Sequence, residues 1–338
     1  MINEQKTINR TNSLCMILVV MTHCVITSDC VGAELFYLFI FRTFTRIAVP
    51  IFFILSGYLL LKNYSIRKIK KRTKTVFIPF LLWSIITIGI FYTIKLLPTT
   101  RPFVNTNIEP TTSYFIESVF ISPLNGSLWF LRDLYVFVVI SPFIYNLMCN
   151  KFISRLSIAA LFILWIIDLQ YRPFIESSFF FIIGAFLSLH NTTTLKHLIT
   201  LAKYSKTYLV YIYFIFIILL TLIFSLREWN PIMLSKLSII LGLPAFLIFL
   251  KTLNKDSKFN IYLDHFKRYS FFCYATHIIF AQFLRKFILS LFPPNNLIIV
   301  IIYYLIILLL TFLLCFLSQK LLTRISPKLV KILTGNRC

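Results

Sequence analysis

The chain has 338 residues, of which 59% are hydrophobic and 13% charged, with a mean hydropathy of +0.85. Soluble domains carry about 25% charged residues, so this chain has too little polar surface to cover a water-soluble fold. A net charge of +23 does not point to nucleic acid, because Lys and Arg stand in short clusters between apolar runs.

The apolar runs are about 20 residues long and lack the alternation of an outer-membrane barrel, so the spans are helices. We expect an all-α integral membrane protein, a bundle of about ten transmembrane helices. Their expected limits are 13–28, 38–61, 77–97, 128–148, 152–169, 174–190, 207–226, 233–251, 269–290 and 296–319. Basic residues decide which connections stay inside. The second connection holds seven Lys or Arg between Lys62 and Lys74, and the eighth holds five between Lys251 and Arg268. The first holds none, and the third, fifth and seventh hold one each: Arg101, Arg172 and Arg227. Rich and poor connections alternate, which places both termini in the cytoplasm.

A cleavable signal peptide ending near Val31-Gly32-Ala33 is the rival reading of the first segment. The charge alternation favours a retained helix. The third connection, Pro98 to Ser127, is long and Pro-rich and reads as an irregular outer cap. The seven cysteines are scattered and form no C-x-x-C, so neither a disulfide framework nor a metal site is inferred. Residues 1–338 read as one domain with a basic tail at 320–338.

A few ionisable side chains interrupt the apolar runs, and such residues mark function or a buried partner. His23 falls about ten residues into the first predicted helix, ~15 Å deep, on a stripe with Asn12, Met16, Val19 and Val20. His277 shares a face of the ninth with Ser270 and Tyr274. A packing hydrogen bond is the plain alternative for both. Arg42 and Arg46 lie four apart on the second helix and need an anion or carbonyls inside the bundle. Lys70, Lys71, Arg72 and Lys74 suit either an anionic lipid surface or a phosphorylated ligand. Trp129 is placed as an interface anchor. Arg132 and Asp133 are neighbours that do not face each other on a helix, so each is expected to find another partner. For Asp133 that partner would be a basic residue of the second helix.

Several of these segments together resemble the membrane acyltransferase 3 family, bacterial O-acyltransferases of sugars and polysaccharides. Arg46-Ile-Ala-Val-Pro50-Ile-Phe52-Phe53-Ile-Leu-Ser56-Gly57-Tyr58 is similar to its R-x-A-V-P-x-F-F-x-x-S-G-Y. Lys71-Arg72 with Ile78-Pro79-Phe80, Trp129-Phe130-Leu131, Phe179-Phe180-Phe181-Ile-Ile-Gly184 and Tyr274-Ala-Thr-His277 resemble further family segments in the same order. His23 matches the histidine of its R-x10-H pattern. Asn12 stands where the family has arginine, and Arg10 lies two residues earlier as a substitute.

The resemblance implies a bacterial inner-membrane enzyme. It would transfer an acyl group, by family habit acetyl, from cytoplasmic acetyl-CoA to a hydroxyl of a surface glycan such as O-antigen or of its lipid-linked precursor. Its partners are then acyl-CoA, the glycan and membrane lipids, with no nucleic acid and no metal. On this reading Lys70, Lys71, Arg72 and Lys74, with Ser56 and Gly57, hold the CoA. His23 is the general base, with direct transfer and an acetyl-His intermediate both open. Arg42 or Arg46 stabilises the oxyanion or orients the sugar. His277 takes a second polar role, and Arg42, Trp129, Asp133 and Tyr274 contact substrate. A transporter or flippase using the same buried polar residues is the alternative. Against it, we find no inverted repeat with matched broken helices.

Overall fold

A computed structural model describes residues 4–96, 111–170, 172–190, 208–253 and 257–337. Most of the sixth connection and residues 98–110 of the expected outer cap lie outside the described residues. The fold is all-helical, with 85% of residues in helix and no strand among those described. In chain order the helices begin with α1 (Glu4–His23), α2 (Ala33–Tyr37), a π-helical stretch (Leu38–Phe44), α3 (Ala48–Leu61) and α4 (Ile66–Leu96). Next come α5 (Thr112–Ile116), α6 (Trp129–Val139), α7 (Ser141–Cys149), α8 (Lys151–Ile167) and α9 (Pro173–His190). The last are α10 (Tyr208–Leu226), α11 (Pro231–Leu253), α12 (Lys258–Leu291), α13 (Leu297–Ile325) and α14 (Pro327–Leu333).

Among the described residues, six segments are long and apolar enough to cross a membrane: Ala33–Leu61, α4, α9, α10, Pro231–Leu250 and α13. A seventh is the pair α6 and α7, if it forms one span. That pair breaks at Ile140, just before Ser141-Pro142, where Pro142 has no N–H to give the Val138 carbonyl of a continuous helix and its ring presses on it. The first, fifth and ninth expected spans fold as helices but do not meet the same measure. α8 has 17 residues, about 25 Å at 1.5 Å per residue. α1 and α12 carry charges near their ends.

Two helices depart from expectation in ways that move candidate residues. α1 starts at Glu4 and stops at His23 instead of running 13–28. Its polar first half is held by partners: Tyr58 and Lys62 both donate to Glu4 Oε1, at 2.8 and 2.6 Å. The second span is not a continuous α-helix. A proline at 50 would press its ring on the carbonyl of Arg46 in an unbroken helix. The chain instead opens at Thr45–Ile47, and Pro50 falls in the first turn of α3, where its missing N–H costs nothing. The preceding turn is wide, with Thr45 N–H reaching back five residues to the Ile40 carbonyl at 3.3 Å. The four-residue spacing of Arg42 and Arg46 therefore does not put them on one α-helical face.

The chain divides into two compact units. The first is Met1–Ser65 with Ile140–Ser270, and the second is Ile66–Val139 with Phe271–Cys338. In the first unit α3 and α9 cross at two glycines. A Cβ on Gly57 would stand 2.1 Å from the Phe181 carbonyl oxygen, and one on Gly184 2.0 Å from that of Ile54. Only glycine permits this approach, the usual device of packed membrane helices. Gly57, placed with CoA by the resemblance, is thus buried against α9.

Candidate active site

In the first unit His23 is the last residue of α1 and is half-buried. It is the 20th residue of its helix, ~28 Å from the helix start. The residue before it, Thr22, hydrogen-bonds the Thr45 hydroxyl at 2.7 Å, and Thr45 in turn donates to the Ile40 carbonyl at 2.7 Å. This ties the end of α1 to the open turn that carries Arg46. The structure so brings together the neighbourhoods of His23 and Arg46. Arg42 lies in the π-helical stretch, its guanidinium 5.0 Å from the centre of the Phe41 ring.

Arg46 does find the anion it requires. Its Nη2 donates to Glu176 of α9, at 2.9 Å to Oε1 and 3.2 Å to Oε2. Glu176 is buried and also accepts from Trp165 Nε1 at 3.2 Å. Lys236 of α11 is buried beside them. Its ammonium donates to the Trp165, Ile166 and Asp168 carbonyls, capping the C-terminal end of α8. Glu176, Trp165 and Lys236 were not among the residues singled out from sequence. The signal was present: Glu176 and Lys236 are ionisable residues inside apolar runs.

Arg10, two residues before the motif position held by Asn12, has structural partners of its own. It is fully buried and forks onto Asp264 of α12, Nε to Oδ1 at 3.0 Å and Nη2 to Oδ2 at 2.8 Å. Its Nη1 donates to the Leu253 carbonyl at 2.7 Å. Ser13 donates to the Leu263 carbonyl at 2.9 Å on the same seam. Arg10 locks α1 to α12, and Asn12 keeps the motif position, half-buried.

The second unit holds the other candidates. The turn Asn125–Ser127 docks on α12: Asn125 Nδ2 donates to the Ala275 carbonyl at 2.8 Å, and the Tyr274 hydroxyl donates to the Ser127 carbonyl. The Phe130 ring meets Tyr274 edge-on at 6.0 Å. His277 is fully buried, and its Nδ1 lies 3.0 Å from the Cys273 carbonyl and 2.8 Å from that of Tyr274. Carbonyls only accept, so Nδ1 carries the proton and Nε2 is the basic nitrogen of the neutral ring. Trp129 opens α6, half-buried.

Arg132 and Asp133 pair with each other, contrary to expectation, with Nη2 2.9 Å and Nε 3.0 Å from Oδ1. They sit in the first turns of α6, and the long arginine side chain folds back on its neighbour while also donating to the Ile121 carbonyl. Asp133 thus has a partner within its own helix. The basic cluster is helical, not a loop. Arg67, Lys70, Lys71 and Lys74 follow i, i+3, i+4, i+7 spacing at the start of α4 and are all exposed, while Arg72 is half-buried off that stripe.

The helices and their buried ion pairs define a multi-pass membrane protein. An acyltransferase domain of the acyltransferase 3 family matches residues 12–319, so the chain belongs to that family. It is 30% identical over 162 residues to the succinoglycan biosynthesis protein ExoH of Rhizobium meliloti (strain 1021). That alignment covers 45% of this chain and 43% of that protein. No solved structure matches the chain.

Proposed function

We propose that this protein transfers an acetyl group from cytoplasmic acetyl-CoA to a hydroxyl of a surface polysaccharide or its lipid-linked precursor. It acts as a ten-span protein of the bacterial inner membrane with both termini in the cytoplasm. The carrying observation is the meeting of the α1 end bearing His23 with the turn bearing Arg46, within a chain of acyltransferase family. A polysaccharide acceptor is supported by the likeness to a protein of succinoglycan biosynthesis.

In this reading the neutral His23 imidazole takes the proton of the sugar hydroxyl as the oxygen attacks the thioester carbonyl. Arg46 carries the negative charge that develops on that carbonyl oxygen. The carbon–sulfur bond then breaks, and the departing thiolate takes the proton from the imidazolium. The basic stripe at the start of α4 holds the CoA phosphates, as lysines do for a point-charge contact. Tyr274 and His277 keep the substrate-contacting and second polar roles that the family resemblance gives them. The test is acceptor-dependent release of CoA thiol by membranes containing the protein. Thiol release that rises with added glycan supports transfer. Glycan movement without thiol release supports transport instead.

A further inference from the structure

The first unit contains a buried polar chain, Glu176, Trp165 and Lys236, that touches neither proton nor thioester in the mechanism above. Arg46 lies on an open turn, so no helix fixes its long side chain. Glu176 does so, reaching from α9 with both carboxylate oxygens within 2.9 to 3.2 Å of Nη2. Trp165 directs Glu176 through its Nε1 hydrogen bond at 3.2 Å. Its indole is wedged between Phe179, stacked at 5.3 Å, and Phe180, edge-on at 5.3 Å. Lys236 fixes the backbone of Trp165 from a third helix and stands 5.9 Å from its ring centre.

A buried ion pair gives little net stability, and apolar residues would join these helices as well. Its location is the informative feature. Arg46 follows Thr45, which bonds the residue before His23. We propose that Glu176 is a positioning residue for Arg46, held in its own geometry by Trp165 and Lys236, so that the guanidinium is preset for the developing oxyanion. This rests on the role given to Arg46 above, and it concerns direction rather than binding, since an oxyanion donor displaced by ~1 Å loses most of its effect.

The experiment compares wild type with Glu176→Gln, Glu176→Asp and Trp165→Phe in acetyl transfer to glycan. Modification of Arg46 by phenylglyoxal is followed by mass spectrometry alongside. Glu176→Gln is expected to lower kcat about 100-fold while KM for acetyl-CoA stays within about twofold. Glu176→Asp should recover part of the loss, and Trp165→Phe should lose less. Arg46 in Glu176→Gln should react about tenfold faster, with Arg132 unchanged as internal control. Wild-type kcat together with a protected Arg46 in Glu176→Gln overturns the proposal. If Glu176→Gln fails to accumulate, Trp165→Phe decides: unchanged kcat and unchanged labelling overturn it. A wild type that transfers nothing, with Arg46 released in Glu176→Gln, sinks the acetyl-transfer reading and leaves the clamp standing.

Discussion

Arg10 and Arg46 are both arginines committed to carboxylates, Asp264 half-buried and Glu176 buried, and they differ in what surrounds the pair. Arg10 is enclosed completely and satisfied by Asp264 and a carbonyl, so its role is to fasten α1. Removing Asp264 strands the fully buried Arg10 charge, which costs about 3–5 kcal/mol, while removing Arg10 leaves a half-buried Asp264 without its fork and costs less than that. Arg10→Met is therefore expected to lower the melting temperature in detergent clearly, and Arg10→Met with Asp264→Leu to regain most of it. A melting curve unchanged by Arg10→Met would contradict this. Lys62 behaves more mildly. The Glu4 hydrogen bond raises its pKa, so the pair stays charged through neutral pH and its contribution fades only as pH rises past that raised pKa. The sequence announced that each buried ionisable residue needed a partner. It did not say which, because Arg46 meets Glu176 through a crossing of two helices 130 residues apart in sequence. Arg132 and Asp133 show the same limit locally: helix spacing rules describe where Cβ atoms point, while a long arginine can fold back.

At the scale of elements, prolines and glycines account for what periodicity missed. Pro50 opens the second span and frees Arg46 from a helical face. Pro79 inside α4 leaves the Thr75 carbonyl without its helical donor. Arg337 supplies one at 3.1 Å, and Gly335, at φ +61°, lets the backbone after α14 come close enough. The basic tail is in this part docked, with the Leu333 carbonyl accepting from Trp83 Nε1 at 3.0 Å. The basic stripe of α4 was legible as charge but not as a face, because the helix was expected to begin only at 77. Exposed cations on one face act together and are screened by salt. Replacing Lys70, Lys71 and Lys74 by Gln is expected to raise KM for acetyl-CoA about tenfold with little change in kcat, and to flatten the salt dependence of KM. An equal fall in kcat at unchanged KM would remove the stripe from donor binding.

At the scale of the whole molecule, the helical membrane class was legible because hydropathy and the lack of alternation leave no other solution. The division into two units was not. α12 runs unbroken through the point where one unit gives way to the other, and nothing in its sequence marks that point. The proposed topology places Cys30 outside and Cys149 inside. Cys30 is half-buried and Cys149 exposed. A membrane-impermeant maleimide is expected to label Cys30 in intact cells and Cys149 only after permeabilisation; the reverse would invert the orientation. The central claim is that His23 takes the acceptor proton in acetyl transfer. The most direct test incubates membranes with radiolabelled acetyl-CoA and surface glycan, comparing wild type with His23→Ala at matched protein level. Label entering glycan with wild type and falling at least 100-fold in His23→Ala is the predicted result. Equal label in both would remove His23 from the chemistry.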